Sequence, residues 1–324
     1  MGDRLLALKV DVDTYVGTLE GIPRLLDLFA KEGIRATFFF SLGPDNTGKA
    51  VKRIFKKGFI KKVLRANPTA SYGLKTMLYG TLLPAPDIGA KRDAIAKMRD
   101  VQASGHAIGI HAWDHIDWHD RLSSMPRAEI DKIVIRQQAR FEEIFGERAV
   151  LSAAPGWTAT ALSAEVQEKH GIRITSDTRG GSPFHPRRTD GSPSAVLEIP
   201  STLPTLDELL ASDRFGASPD AREGTIELLR SQIRDAEDPA VHSIHTEIEG
   251  GRALGSLFAR QVAAWKEDGI QFVTLPEVAD ALAGTAVPVR SLTFTTLEGR
   301  ATPVATGWGP AADSILYKQD QAPR

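Results

Sequence analysis

Strand-like and helix-like stretches alternate along most of this chain, and no other feature limits its fold so much. Short apolar runs rich in β-branched and aromatic residues occupy 4–10, 36–42, 106–110, 149–153, 173–176, 195–199, 241–244 and 271–274. Helical spacing of apolar residues fills 19–34, 90–104, 126–145, 219–234, 253–267 and 276–283, with Gly33 and Gly105 as stop signals and Pro126 in a first turn. About seven strands separated by helices predict a mostly parallel sheet with crossover connections, an α/β fold. No linker-like stretch divides the chain, so one closed or nearly closed (β/α) barrel over residues 1–284 is expected in place of two domains. After Thr285 the pattern dissolves into Pro, Gly, Thr and Ala with a weak strand at 291–296, and 285–324 is expected to be an appendage.

Composition removes several chemistries. The chain contains no Cys, which excludes disulfides, thiolate metal sites and a Cys nucleophile, so any metal must sit on His and carboxylate oxygens. No run of about 18 apolar residues is present to span a bilayer. Met1-Gly2-Asp3-Arg4 leads straight into a strand with no signal-peptide layout, and Leu6 stands where myristoylation needs Ser or Thr, so a cytoplasmic protein is expected.

The formal net charge is only −1, but it is unevenly spread. A segment at about 46–86 holds nine cations and no acid: Lys49, Lys52, Arg53, Lys56, Lys57, Lys61, Lys62, Arg65 and Lys75. Val51, Ile54, Phe55, Phe59, Ile60, Val63 and Leu64 interleave with them at roughly helical spacing, although Gly58 weakens the pattern. A basic amphipathic helix of this kind suits an anionic membrane surface or a phosphate-bearing ligand; a solvated helix packed on the body would look the same. Nucleic acid is disfavoured, because the rest of the chain carries −10.

Chemistry-bearing residues collect at the carboxyl ends of the strands, the edge where α/β folds build their sites. Asp11-Val12-Asp13 ends the first strand, and alternation lets both carboxylates face one side. Two such charges need a cation or a proton between them, although Asp is also common in solvated strand-end turns. His111 and His115 follow the third strand at a spacing that brings two imidazoles onto one face of a helical turn; with Asp13 they would leave open metal positions for water and substrate. Asp114, Asp117 and His119 are lower-ranked alternatives. His245 closes the 241–244 strand as a candidate general acid or a hydrogen-bonded structural His, with His242 on the opposite face. Ala153-Ala154-Pro155-Gly156-Trp157 could bring a backbone N–H close to a ligand or be a plain turn. In Ser176-Asp177-Thr178-Arg179, Asp177 could orient a His and Arg179 could hold an anion, or the loop could be merely polar.

These strand ends, in this order, resemble the five motifs of the NodB-type polysaccharide deacetylases, over roughly residues 4–283. Within that family, L-K-V-D-V-D-T, F-F-F-S-L-G-P-D-N, G-I-H-A-W-D-H, A-A-P-G-W, S-D-T-R-G and I-H-T-E-I-E-G resemble the branch that deformylates 4-deoxy-4-formamido-L-arabinose-phosphoundecaprenol for lipid A modification. The resemblance implies a distorted (β/α) barrel and a divalent metal (zinc first, manganese or cobalt next) on Asp13, His111 and His115. It implies Asp11 as general base, His245 as the acid that protonates the departing amine, and Asp177 as the residue that positions His245. Gly156 and Trp157 would serve the oxyanion and the substrate. Its implied partners are an undecaprenyl-phosphate-linked amino sugar and an anionic membrane surface met through Lys56, Lys57, Lys61 and Lys62, on the cytoplasmic side of the inner membrane. In the broad family the third motif begins with an Arg that holds the base; Ala153 stands there in this chain, leaving Arg179 as a substitute. The competing expectations are an N-deacetylase of another glycan and a non-catalytic lipid- or phosphate-binding barrel.

Overall fold

A computed structural model of the chain describes residues 4–54, 75–212, 219–236, 239–298, 300 and 302–307. Lys56, Lys57, Lys61 and Lys62 lie outside them, and of the basic segment the helix Thr47–Ile54 is seen at its start. Among the described residues no helix is long and apolar enough to cross a membrane.

The strands are β1 (Leu5–Val12), β2 (Thr37–Ser41), β3 (Ala107–Ala112), β4 (Leu151–Ser152), β5 (Ile174–Thr175), β6 (His185–Pro186), β7 (Leu197–Glu198), β8 (Ala240–His245) and β9 (Gln271–Val273). Seven of them line up as β7-β5-β4-β3-β2-β1-β8, every neighbouring pair parallel, and curl into a half-barrel with helices outside. β9 pairs with Leu5–Ala7 at the start of β1, ahead of the point where β2 begins at Lys9. The expected distorted (β/α) barrel is therefore present.

Side-chain alternation along β1 divides the core in two. Its even positions, Leu6, Leu8, Val10 and Val12, pack with Leu25 and Phe29 of the helix Ile22–Glu32, and with Phe38, Phe40, Phe258 and Trp265. This is the layer between sheet and outer helices, where each Leu or Phe contributes about 1.5–3 kcal/mol by leaving water. Ala7, at an odd position, belongs to a separate cluster with Phe39, Ala153, Ile199 and Val241 inside the barrel. Lys9, Asp11 and Asp13 continue that inner face toward the carboxyl end.

The chain departs from the sequence pattern in three places. The expected helix over 19–34 is a π-helical turn, Gly17–Gly21, followed by the α-helix Ile22–Glu32. A Cβ on Gly17 would fall 2.0 Å from Glu247 Oε1 and one on Gly21 2.1 Å from Thr246 O, so the wide turn exists to seat the loop after β8. β4, β5 and β7 pair over only two residues each, because the chain leaves the sheet to build the loops beyond them. Past residue 285, β10 (Val289–Arg290) pairs with β6, and β11 (Thr293–Thr295) and β12 (Val304–Thr306) form a hairpin. Val304 and Ala305 are fully buried, Leu297 and Val304 pack on Trp157, and Arg179 N–H donates to Ala305 O at 2.9 Å. The described part of the tail thus packs against the barrel.

Candidate metal and hydrolytic site

β1, β3 and β8 deliver their last inward-facing residues to one spot. The β1–β8 register sets Asp11 opposite His245, and His111 comes from the end of β3. His115 is not on a shared helical turn with His111, as its spacing suggested: His111 ends a strand and His115 opens the helix His115–Arg121. Asp114 caps that helix, its Oδ1 accepting the N–H groups of Ile116 (3.1 Å) and Asp117 (3.0 Å), while its Oδ2 accepts from Asn46 Nδ2 at 2.5 Å. Asp114 is committed to aiming His115.

Asp13 Oδ1 lies 3.1 Å from His111 Nε2 and its Oδ2 lies 3.6 Å from His115 Nε2. One donor atom from each of Asp13, His111 and His115 falls within 4.8 Å of the other two. Donors about 2.1 Å from a tetrahedral ion sit about 3.4 Å apart, so two of these separations already match a bound ion. Both ring nitrogens of His111 and Oδ1 of Asp13 are buried without a hydrogen bond, which suits atoms shaped to a cation. Side-chain exposure falls from 25% at His115 to 11% at Asp13 and 2% at His111, so the cluster opens to solvent on the His115 side.

Charge is concentrated here. Burial alone would raise the Asp13 carboxyl, yet His115 and His111 hold it well below the usual carboxylate range. Burial works against a charged His111, but Asp11 and Asp13 outweigh it and push the ring up. His245 is pushed up to about 9: burial opposes this, while Asp13, Asp207, Glu249 and Asp11 favour the cation. Its backbone N–H donates to Glu249 Oε2 at 2.7 Å. Burial raises Glu249 to about 7 and, together with Asp13, raises Glu247, whose Oε1 accepts both the N–H (2.9 Å) and the hydroxyl (2.5 Å) of Thr14.

Three expected contributions have other partners. Arg179 is fully buried, with Nη1 on Glu208 Oε1 at 2.6 Å and Nη2 on Leu203 O at 3.0 Å, so both ends of its guanidinium are held by these partners. Asp177 is raised to about 6 by burial against the pull of Gln167, Lys9, the Ala154 N–H and His111. Glu198, accepting from the Asp177 and Thr178 N–H groups, lies beside it, and the charges acting most on His245 come from Asp13, Asp207 and Glu249. Trp157 is buried, its Nε1 on Ser201 Oγ at 2.9 Å and its ring flanked by Lys9, Arg179 and Arg300 at 4.6–5.0 Å. Gly156 and Trp157 both have left-handed φ, 56° and 52°, and a Cβ on Gly156 would fall 2.4 Å from His119 Cδ2. His119 packs there and meets Thr302 Oγ1 at 3.2 Å, while Asp117 pairs with Arg121.

Lys9, Glu247 and Glu249 were not singled out from the sequence. Lys9 had a signal: it is a lone cation in an apolar strand, two residues before Asp11 and so on the same face. The two glutamates lie in I-H-T-E-I-E-G, and packing of this loop against Gly17 is what brings Glu247 inside.

The sequence profile described as "Polysaccharide deacetylase" matches residues 82–175, which include His111, His115 and Gly156. A curated protein of Shewanella sediminis, named "Probable 4-deoxy-4-formamido-L-arabinose-phosphoundecaprenol deformylase ArnD", is 34% identical over 98% of this chain and 97% of its own length. One of the same name from Wigglesworthia glossinidia brevipalpis is 30% identical over 94% of this chain and 99% of its own. A crystal structure of a Mycobacterium smegmatis protein, described as a polysaccharide deacetylase, superposes with a TM-score of 0.61 at 18% identity, covering 92% of this chain and 96% of that one; it speaks for the fold alone.

Proposed function

We propose that this chain, which belongs to the polysaccharide deacetylase family, hydrolyses the formamide of 4-deoxy-4-formamido-L-arabinose-phosphoundecaprenol. The products are formate and the free amino-sugar lipid. The observation that carries this reading is near-full-length identity to relatives so named, joined to a buried Asp-His-His trio at the carboxyl end of the barrel. Asp13, His111 and His115 would hold a divalent metal, zinc before manganese or cobalt. Such an ion lowers the pKa of water toward ~7 and draws charge from a carbonyl oxygen.

The remaining work falls to the chain itself. Asp11, buried beside His111, accepts the proton of the attacking water. His245, held as a cation by the surrounding carboxylates, donates its proton to the nitrogen as the C–N bond breaks, so the amine departs neutral. Glu249, bonded to the His245 backbone, takes the positioning part that the family resemblance gave to Asp177. The Trp157 and Thr158 N–H groups already donate to Ala154 O and Pro155 O, so the Gly156 N–H is the proposed backbone donor to the amide oxygen.

A lipid-linked substrate lies at a bilayer surface. Nine cations without an acid at 46–86, and Leu82 at 80% exposure next to them, support docking of this segment on anionic headgroups at the cytoplasmic face of the inner membrane. Neutralising Lys56, Lys57, Lys61 and Lys62 together should weaken binding to phosphatidylglycerol vesicles more than it slows hydrolysis of a short soluble analogue. Equal losses would place those lysines at the reaction instead.

The reaction is tested by loading purified protein with zinc and offering formamido-arabinose and acetamido-sugar polyprenyl phosphates, with Asp13→Ala as blank. Formate release alone supports the deformylase. Acetate release would make the chain a general N-deacetylase, and neither product with metal bound would leave a binding protein.

A further inference from the structure

We propose that Lys9 is the positioning residue for Asp11: its buried ammonium reaches up the inside of the barrel, takes one carboxylate oxygen and leaves the other facing His111. The inference deepens the functional reading above and rests on it for the role of Asp11.

Lys9 is fully buried on the inner face of β1, two residues beyond Ala7 of the apolar inner cluster, with Ser243 as its neighbour on β8 and the buried Asp177 carboxylate near enough to feel its charge. Residues two apart on a strand lie about 6.6–6.8 Å apart on one face, a distance that the four-carbon lysine stem spans. Its Nζ lies 3.1 Å from Asp11 Oδ2, and Asp11 Oδ1 lies 3.8 Å from His111 Nδ1. The two oxygens are therefore divided, one toward the lysine beneath and one toward the site above. Among the described residues no other carboxylate comes within ion-pair distance of Lys9, and the Trp157 ring, 5.0 Å away, covers its flank.

Two observations separate this arrangement from an ordinary buried ion pair. A buried charge is costly to keep, and an apolar residue of similar volume in its place is often neutral or stabilising, so packing alone gives no reason for a lysine here. The other cation the sequence offered for Asp11, Arg179, is bound to Glu208 and Leu203, and the family's arginine position is Ala153. Lys9 approaches the same carboxylate from within its own strand.

The test is a double-mutant cycle on the zinc-loaded full chain, using Lys9→Met, Asp11→Asn and the double variant, with Lys9→Arg as the conservative change. Lys9→Met should lower kcat at least tenfold with KM within about twofold and one zinc per chain retained. In the Asp11→Asn background the same change should move kcat less than twofold, because the group it serves is gone. Lys9→Arg should recover most of the loss. Equal fold-losses in both backgrounds, or a loss seen only in KM, would overturn the proposal. If Lys9→Met does not fold, Lys9→Gln replaces it in the cycle. The same proteins are melted: the Tm loss of Lys9→Met should shrink when Asp11 is Asn, and additive losses would count against the pair. A wild type that releases no formate would defeat the functional reading, while the melting cycle would still decide whether Lys9 and Asp11 are coupled.

Discussion

Two groups of buried charges share the inside of this barrel, and they are finished to different degrees. Around Glu198 and Glu208 all four carboxylate oxygens have partners, although Asp177 Oδ1, Arg179 Nε and Arg300 Nε beside them have no hydrogen bond. Glu198 accepts from the Asp177 and Thr178 N–H groups and from the Thr175 and Thr178 hydroxyls, and Glu208 takes Arg179 and Arg300. At the ends of β1, β3 and β8, by contrast, Asp11 Oδ1, Asp13 Oδ1, both His111 nitrogens and His245 Nδ1 are buried with no hydrogen bond. An unsatisfied buried polar atom costs about 1–3 kcal/mol, so five in one place form a strain that a bound cation and substrate would relieve. The better-partnered group is expected to matter for the fold, and the group at the strand ends for binding.

Mutation should separate the two most sharply in activity. Asp13→Ala should abolish zinc binding and reduce formate release by at least a thousandfold. Asp11→Asn should keep the zinc and lose roughly 10²–10⁴-fold in kcat. An Asp11→Asn enzyme with full turnover would break the assignment of the base.

The second group should respond in stability. Glu208→Ala strands the buried Arg179 and should cost about 3–5 kcal/mol, a fall in Tm of about 10 °C, with one zinc per folded chain still bound. Loss of zinc at an unchanged Tm would erase the distinction between the groups. Gly156→Ala lies between them, since it strains a left-handed backbone and crowds His119. It should cost about 1–3 kcal/mol by thermal melting and slow turnover as well.

The smallest effect is one of pH and lies far from the site. His106 Nδ1 accepts the Ala36 N–H at 3.1 Å, which only the neutral ring can do, and burial, with the Arg35 charge nearby, lowers its pKa to about 4. Below its usual value near 6.5 the unfolded chain binds a proton that the folded chain refuses. Stability should therefore fall as pH drops from 6.5 toward 4, by about 1 kcal/mol between pH 7 and 5.5. Melting curves of His106→Asn should show a weaker dependence over that window.

Much of this was legible before any coordinates. The strands, their parallel pairing and the gathering of Asp13, His111, His115 and His245 at the strand ends follow from alternation, because strand period is a local property. Partner choice is not local. Arg179 and Asp177 sit in the same S-D-T-R-G loop, yet Glu208 and Glu198, distant in sequence, decide what they do. The tail looked like an appendage because Val304 and Ala305 have no periodic context, and they are buried by docking on Trp157 and on the Arg179 backbone. Lys9 shares the face of Asp11 by strand period, in a position where lysine is rarely buried.

Calorimetric titration of metal-free protein with zinc tests the central claim most directly, with Asp13→Ala and Glu208→Ala alongside. One equivalent should bind the wild type and Glu208→Ala, and none should bind Asp13→Ala. A wild type that takes up no zinc, or an Asp13→Ala protein that binds it as tightly, would contradict a metal site at Asp13, His111 and His115.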